Sequence, residues 1–219
     1  MKYGVVTGSS RGIGLATVEL LIKQSGFKVI GSSTSGNNPL DNSNFKCLIL
    51  DLSNSDSIDK FIEGLGDVKL DFLINNAGVL IEKWDASEIN MDQLKKTFDT
   101  NVFGTIELTE KLLLRLNAKA HIINITSDWG SFSELNFDEF QPHYKMSKAA
   151  LNMYTKLLSK RLENRDITVS SLDPGWTQTD MGGKVAPRLP EDVASDILNL
   201  LNNTIESGKF WHQGKVRMW

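Results

Sequence analysis

The chain has 219 residues, the length of one domain, and its 24 basic and 27 acidic residues leave a net charge of −3. A mildly acidic chain lacks the basic footprint of a nucleic-acid binder. With 40% hydrophobic and 23% charged residues it has the composition of a folded globular protein, not of a disordered one.

Met1-Lys2 runs straight into a β-rich segment, 2–7, which leaves no room for a signal peptide. Residues 13–24 carry Ile13, Ala16, Leu20 and Leu21 at helical spacing, and 27–31 form a second strand. The Ser-, Asn- and Gly-rich stretch 32–44 reads as loop. Strand three spans 45–50 and holds the one cysteine, Cys47, in an apolar run. One cysteine excludes an internal disulfide and a cysteine-based zinc site, and it suits a small buried side chain in a reducing, cytoplasmic compartment. Ser53-Asn54 can cap a helix whose apolar face is Ile58, Phe61, Ile62 and Leu65.

Strand four spans 71–74, a long helix 91–116, strand five 121–125, another helix 144–163 and strand six 167–172. Residues 182–190, within a stretch near 180–190, are the candidate for a mobile flap. Pro190 stands at a first helical position ahead of Val193, Ile197, Leu200 and Leu201, and 208–211 form a last strand. His121, His143 and His212 share no ligand spacing, so no metal site is assigned, and no apolar run approaches the ~18 residues of a membrane span. Alternating strands and helices with near-continuous apolar strands predict an α/β fold: one doubly wound, Rossmann-like parallel sheet with helices on both faces, in a single domain over 1–219. Ligands of such sheets bind beyond the carboxyl ends of the strands, where strand order reverses.

Thr7-Gly8-Ser9-Ser10-Arg11-Gly12-Ile13-Gly14 lies between the first strand and the first helix. Glycines let the backbone approach a phosphate, and the helix N-terminus offers unpaired N–H groups and partial positive charge. The spacing Gly-x-x-x-Gly-x-Gly differs from the usual dinucleotide fingerprint, so its placement carries the argument. NAD-selective sites place an acid about 20 residues further on to hold the ribose 2′-hydroxyl. Here position 34 is Thr34 and no acid occurs between Glu19 and Asp41, which with Arg11 nearby favours a 2′-phosphate and hence NADP. Tyr144 and Lys148 share a helix face, where an ammonium can stabilise a phenolate and ready it for proton exchange with a carbonyl or alcohol. Ser127 closes strand five and can hydrogen-bond a substrate oxygen.

On these motifs the chain resembles the short-chain dehydrogenases/reductases over nearly its whole length. Residues 7–14 match the family's glycine-rich loop, Asp51-Leu52 its adenine contact, and Asn75-Asn76-Ala77-Gly78 the segment after strand four. Asn101, Ser127, Tyr144 and Lys148 match its catalytic positions, and Pro174-Gly175, Thr177 and Thr179 lie in the segment that clasps the nicotinamide end. Residues 174–183 and 207–211 look most like the short carbonyl-reductase-like members, a group that includes the bacterial C-factor signalling protein.

The resemblance implies NADPH bound along Gly8, Ser10, Arg11, Gly12, Ile13 and Gly14, with its 2′-phosphate near Arg11 and Thr34 and its adenine beside Asp51 and Leu52. Asn76, Ala77 and Gly78 support the cofactor, and Lys148 holds the nicotinamide ribose and keeps the Tyr144 pKa low. Hydride passes between nicotinamide and a small carbonyl or alcohol substrate, Ser127 and Tyr144 bind the carbonyl oxygen, and Asn101 positions a relay water toward Lys148. Two rivals are a non-catalytic NADP-binding sensor or signal and a 3-oxoacyl-carrier-protein reductase; the latter wants a basic docking patch, and no clear basic run is present. Helices 91–116 and 144–163 are where many members form homo-oligomers, while some short members are monomers. Ser127 and Tyr144 stand 17 positions apart, and the insert 132–143, with Phe137 and Phe140, is expected to shape the pocket. Trp129 and Trp176 are either pocket walls or ordinary packing, and Asp128 reads as a solvated loop acid.

Overall fold

The computed structural model describes residues 1–37, 39–134 and 137–219. Two residues of the insert expected to shape the pocket, 135 and 136, and residue 38 of the loop 32–44 lie outside the described residues. Eight strands form one sheet: β1 (Lys2–Val6), β2 (Phe27–Ser33), β3 (Phe45–Ile49), β4 (Leu70–Asn75), β5 (Leu116–Ile125), β6 (Thr168–Leu172), β7 (Lys209–His212) and β8 (Lys215–Arg217). Their order is β3-β2-β1-β4-β5-β6-β7-β8; all neighbours are parallel except the antiparallel pair β7–β8. The order reverses between β1 and β4, where Val5 lies beside Leu73 and Val6 beside Ile74. This doubly wound sheet is the predicted fold class.

Among the described residues six α-helices flank it: α1 (Gly12–Lys23), α2 (Ser55–Gly64), α3 (Met91–Phe98), α4 (Thr105–Leu112), α5 (Pro142–Arg161) and α6 (Pro190–Asn202). The two-residue strand period splits the core. Val5, Leu73 and Ile122 pack on one face with Ile58 and Phe61 of α2, Leu108 and Leu112 of α4, and Leu151 and Leu158 of α5. Val6, Ile74 and Ile123 face the other way, against Val18 and Leu21 of α1 and Val193 and Ile197 of α6. Asn54, at the expected cap, accepts the Ser57 amide at 3.1 Å, and Pro190 opens α6. Cys47 is only half-buried, because β3 lies at the sheet's edge, and its sulfur is 3.8 Å from the Ser33 hydroxyl.

Two predicted elements need correction, and one strand is added. The helix expected over 91–116 is α3 and α4 joined by a π-helical turn, Asp99–Gly104, and it ends in a 3-10 turn at Leu113–Arg115. The wider turn carries Asn101 inward, where its side chain binds both backbone groups of Val79. It also brings Gly104 against the next layer: a Cβ there would lie 1.9 Å from the Leu52 carbonyl oxygen. β5 starts at Leu116 rather than at 121, with an irregular pairing to β4 and a left-handed Lys119 (φ 65°) whose amide binds Asp166. β8 was not anticipated; Gln213 (φ 48°) and Gly214 (φ 73°) both adopt the positive φ of a two-residue hairpin turn.

The Leu52 contact makes a test of the packing. Gly104→Ala forces a methyl group against the Leu52 backbone, so a loss of about 2 kcal/mol or more and a fall in Tm of roughly 5 °C is expected in a thermal melt.

Candidate active site

Beyond the carboxyl ends of β1 and β4 the backbone closes on itself through one hydroxyl and one amide. Thr7 Oγ1 accepts the amides of Asn76 and Ala77, both at 3.0 Å, and Asn76 Nδ2 donates to the carbonyls of Thr7 (2.9 Å) and Gly8 (3.2 Å). Gly8 (φ 67°) turns the chain here, and a Cβ on Gly14 would lie 2.2 Å from the Gly8 oxygen. Ser32 steadies the loop from β2, its hydroxyl accepting the Gly8 amide and its carbonyl the Ser9 amide. The N-terminus of α1 has no side-chain cap and no acid in its first turn, so its N–H groups remain available to an anion.

A cleft of about 900 Å³ runs over this loop. Gly8, Ser10, Arg11, Gly12, Ile13, Thr34, Asp51, Leu52, Asn76, Ala77, Gly78 and Thr179 all line it. Thr34 is exposed just past β2 and lines the cleft, as do Leu50, whose amide binds the Ser33 carbonyl at 2.9 Å, and Asp51. Asp51 uses one carboxylate oxygen to hold the Ser53 amide (2.9 Å) and hydroxyl (2.7 Å), which sets the turn into α2. Arg11, expected near a phosphate, pairs with Asp180 across the cleft mouth at 3.1 Å, both side chains well exposed. The glycines in its lining and the open helix end fit a dinucleotide.

Ser127, Tyr144, Lys148, Pro174, Gly175 and Thr177 are not part of this lining, and Gly78, which is, lies next to Asn101 and Lys148. A Cβ on Gly78 would lie 3.2 Å from Asn101 Oδ1 and 3.6 Å from Lys148 Nζ. Asn101 also donates to Ser147 Oγ at 3.1 Å. Lys148 Nζ donates to the Ile125 carbonyl at 2.9 Å and lies 5.4 Å from the centre of the Tyr144 ring. Burial alone lowers the Lys148 pKa to about 8. The expected lowering of Tyr144 is not found. Burial first, then the charges of Asp173, Asp128 and Glu82, push its hydroxyl well above the usual phenol value, and the Lys148 ammonium is spent on a carbonyl.

Asp128 is no solvated loop acid. It is half-buried, and its Oδ1 accepts from Ser127 Oγ (3.1 Å) and the Trp129 amide (2.9 Å). Burial and the neighbouring Asp173 raise its pKa. Trp129 packs edge-on to Trp84 and to Tyr144, with ring centres 5.8 Å and 6.0 Å apart. Trp176 is more exposed, and its Nε1 donates to the Gly182 carbonyl at 2.6 Å. The segment expected as a flap is bonded at several points: Gln178 N donates to Arg188 O, Gln178 Nε2 to Ala186 O, and Arg188 joins the Pro174 carbonyl to Asp196 of α6. Thr177 Oγ1 donates to the carbonyls of Pro174 and Gly175, and Thr179 Oγ1 accepts the Gly182 amide.

Sequence reasoning missed the group behind the site. Asp173, buried at the end of β6, meets His212 Nδ1 at 3.0 Å, the Gly175 amide at 2.9 Å and the Arg217 guanidinium, which also grips Glu134. Burial by itself would raise the Asp173 carboxyl; the bonds from His212 and the Gly175 amide and the charges of His212 and Arg217 outweigh it and hold it below the usual range. No spacing signal links residues 39 and 44 positions apart, so only the fold reveals them.

The short chain dehydrogenase family profile matches residues 2–189. The chain therefore belongs to the short chain dehydrogenase family, a family of oxidoreductases. Among its relatives, C-signal of Myxococcus xanthus is 35% identical over 155 residues, covering 68% of this chain and 93% of that protein. The 3-oxoacyl-(acyl-carrier-protein) reductase FabG of Escherichia coli (strain K12) is 32% identical over 191 residues, covering 82% of this chain and 75% of its own. Among solved structures, the NADPH-bound carbonyl reductase from chicken fatty liver superposes with a TM-score of 0.89 at 28% identity, over 100% of this chain and 99% of the other.

The Asp173–His212 pair makes stability depend on pH in a stated direction. The Asp173 bond, outweighing burial, holds His212 above its ordinary value, so this contribution is complete below about pH 6.5 and fades as pH rises through the raised value. Asp173 is held low, so its share is complete above about pH 4 and is lost as pH falls through the lowered value. Thermal melts should therefore show the widest gap between wild type and His212→Gln from about pH 4 to 6.5, narrowing toward alkaline pH.

Proposed function

We propose that the protein is an NADP(H)-dependent carbonyl reductase that interconverts a small carbonyl compound and its alcohol. The observation that carries this reading is Lys148, whose Nζ lies beside Gly78 of the cleft lining and 5.4 Å from the centre of the Tyr144 ring. The likeness to a carbonyl reductase bound to NADPH supports both the substrate class and the cofactor. When bound, the nicotinamide cofactor supplies or accepts the hydride.

The chain's own residues bind, orient and move the proton. N–H groups of the loop 8–14 and of the start of α1 receive the pyrophosphate. Arg11 and Thr34 receive the 2′-phosphate, Asp51 and Leu52 border the adenine, and Asn76, Ala77 and Gly78 support the chain's approach to the cofactor. Pro174, Gly175, Thr177 and Thr179 border the nicotinamide end. Ser127 and Tyr144 bind the carbonyl oxygen, and the Tyr144 hydroxyl gives it a proton in the reductive direction. A phenol held protonated by burial and nearby carboxylates suits that donor role. Lys148, beside the tyrosine, binds the nicotinamide ribose and with Asn101 replenishes the proton through water. The single free cysteine suits a cytoplasmic location.

The test is NADPH consumption against aldehydes, ketones, quinones and a 3-oxoacyl thioester, with NADH as control. Turnover with NADPH is expected, with kcat falling about 100-fold or more in Tyr144→Phe while NADPH binding is kept. Thr34→Asp places a carboxylate against the 2′-phosphate, so KM for NADPH should rise about tenfold or more with NADH turnover spared. The likeness to C-signal favours one other reading, a signalling protein, which predicts cofactor binding with no turnover across the panel.

A further inference from the structure

The start of α5 is clamped by the segment that follows β4. Gln141, which precedes the helix in a left-handed conformation (φ 49°), donates its amide to the Ala86 carbonyl at 2.8 Å and its side chain to the carbonyls of Lys83 and Trp84. Glu82 completes the clamp. Its side chain is fully buried, and its Oε1 accepts the Tyr144 amide at 3.0 Å. That amide lies in the first turn, where helix N–H groups lack intrahelical partners and a negative charge is favoured.

His143 packs beside the carboxylate. Its Nε2 accepts the Asn90 amide at 3.0 Å, and its Nδ1 lies 3.0 Å from Glu82 Oε1 without a hydrogen bond to it. Asn90 itself caps α3 by accepting the amides of Asp92 and Gln93. The imidazole thus joins the first turn of α5 to the start of α3, next to the carboxylate. The second carboxylate oxygen, Oε2, is buried with no hydrogen-bond partner among the described residues. An amide side chain could accept the same bond without carrying a buried charge, and a buried charged oxygen left without a partner is costly. Holding the helix turn therefore does not account for a carboxylate at this position, whereas its charge acts on Tyr144.

We propose that Glu82, through its bond from the Tyr144 amide, is a positioning residue for Tyr144, fixing where the first turn of α5 presents the tyrosine and placing a carboxylate beside it. This rests on the reading of Tyr144 as the proton donor. The charge opposes ionisation of the phenol, in the same sense as Asp128 after β5 and Asp173 after β6. Lys148 on α5 faces the tyrosine ring, Lys145 on α5 lies over Trp129, and Arg217 on β8 is committed to Asp173 and Glu134. Glu82 differs from the other two acids in touching the helix that carries the tyrosine.

Glu82→Gln keeps an acceptor for the Tyr144 amide and removes the charge. Tyrosine labelled with ¹³C at Cζ is titrated by NMR in the full protein, with and without saturating NADP⁺, and Tyr144→Phe identifies the resonance among the three tyrosines. The expected result is that Tyr144 ionises at lower pH in Glu82→Gln than in wild type. In the reductase assay kcat should fall about tenfold with KM for NADPH unchanged, and the pH profile of kcat should move the same way. A folded Glu82→Gln protein with the wild-type Tyr144 titration and pH profile overturns the proposal. If Glu82→Gln does not fold, Glu82→Asp decides: its carboxylate is one methylene short, so a kcat loss with unchanged NADPH KM supports the proposal and wild-type kcat overturns it. The NMR titration needs no substrate, so a protein that reduces nothing in the panel sinks the catalytic reading while the effect of Glu82 on Tyr144 is still read.

Discussion

The cleft depends on one hydroxyl group. Thr7 Oγ1 receives two consecutive amides from the segment after β4, and Asn76 returns two bonds to the backbone of Thr7 and Gly8. The carboxyl ends of β1 and β4 are thereby fastened at the place where strand order reverses and the following chain departs to opposite faces of the sheet. The divergence opens the cleft, and the four bonds give it a rigid floor. Backbone amides shielded from water must be satisfied, so a side chain able only to pack would remove the partner of the Ala77 amide and leave the Asn76 amide with the Ile74 carbonyl alone.

Behind that floor a second polar chain crosses the sheet. Thr109 of α4, Asn75 of β4, Asn124 of β5, Thr155 of α5 and Ser171 of β6 are joined by successive hydrogen bonds of 2.8 to 3.0 Å. These groups are buried, and in a low-dielectric interior such a network favours a single arrangement because each alternative strands a partner. The network holds α5 in register with β5 and β6, so Tyr144 and Lys148 keep a defined position relative to Ser127. The same burial explains why the tyrosine is a reluctant acid. Three carboxylates and a dry setting favour its neutral form, while the nearby ammonium is engaged by the Ile125 carbonyl.

Much of this was legible in the sequence because the signals are local. Strand-and-helix alternation, Asn54 and Pro190 at helix starts, and the glycine loop each depend on neighbours within a few residues. Of the residues expected to bind the cofactor, those of the glycine loop other than Gly14, with Thr34, Asp51, Leu52, Asn76, Ala77, Gly78 and Thr179, line one cleft. What failed did so for physical reasons. The π-turn at Asp99–Gly104 arises from tertiary demands on Asn101 and Gly104 that a helical apolar pattern conceals. Lys148 was expected to lower the pKa of Tyr144 because helix spacing places the two side by side, but spacing does not show where an ammonium spends its hydrogen bonds. Asp128 was read as solvated because acids usually are. Glu82, Asp173, His212 and Arg217 were invisible because their partners are distant in sequence.

The bond from Arg217 to Asp173 also bears on the order of assembly. Arg217 spans 44 positions to Asp173 and 83 to Glu134, while Ser131 and Ser133 reach the Met218 carbonyl across 87 and 85. Such contacts carry the loop-closure entropy of a long sequence separation, and the buried Asp173 carboxylate has its His212 and Arg217 partners only once β7 and β8 are in place.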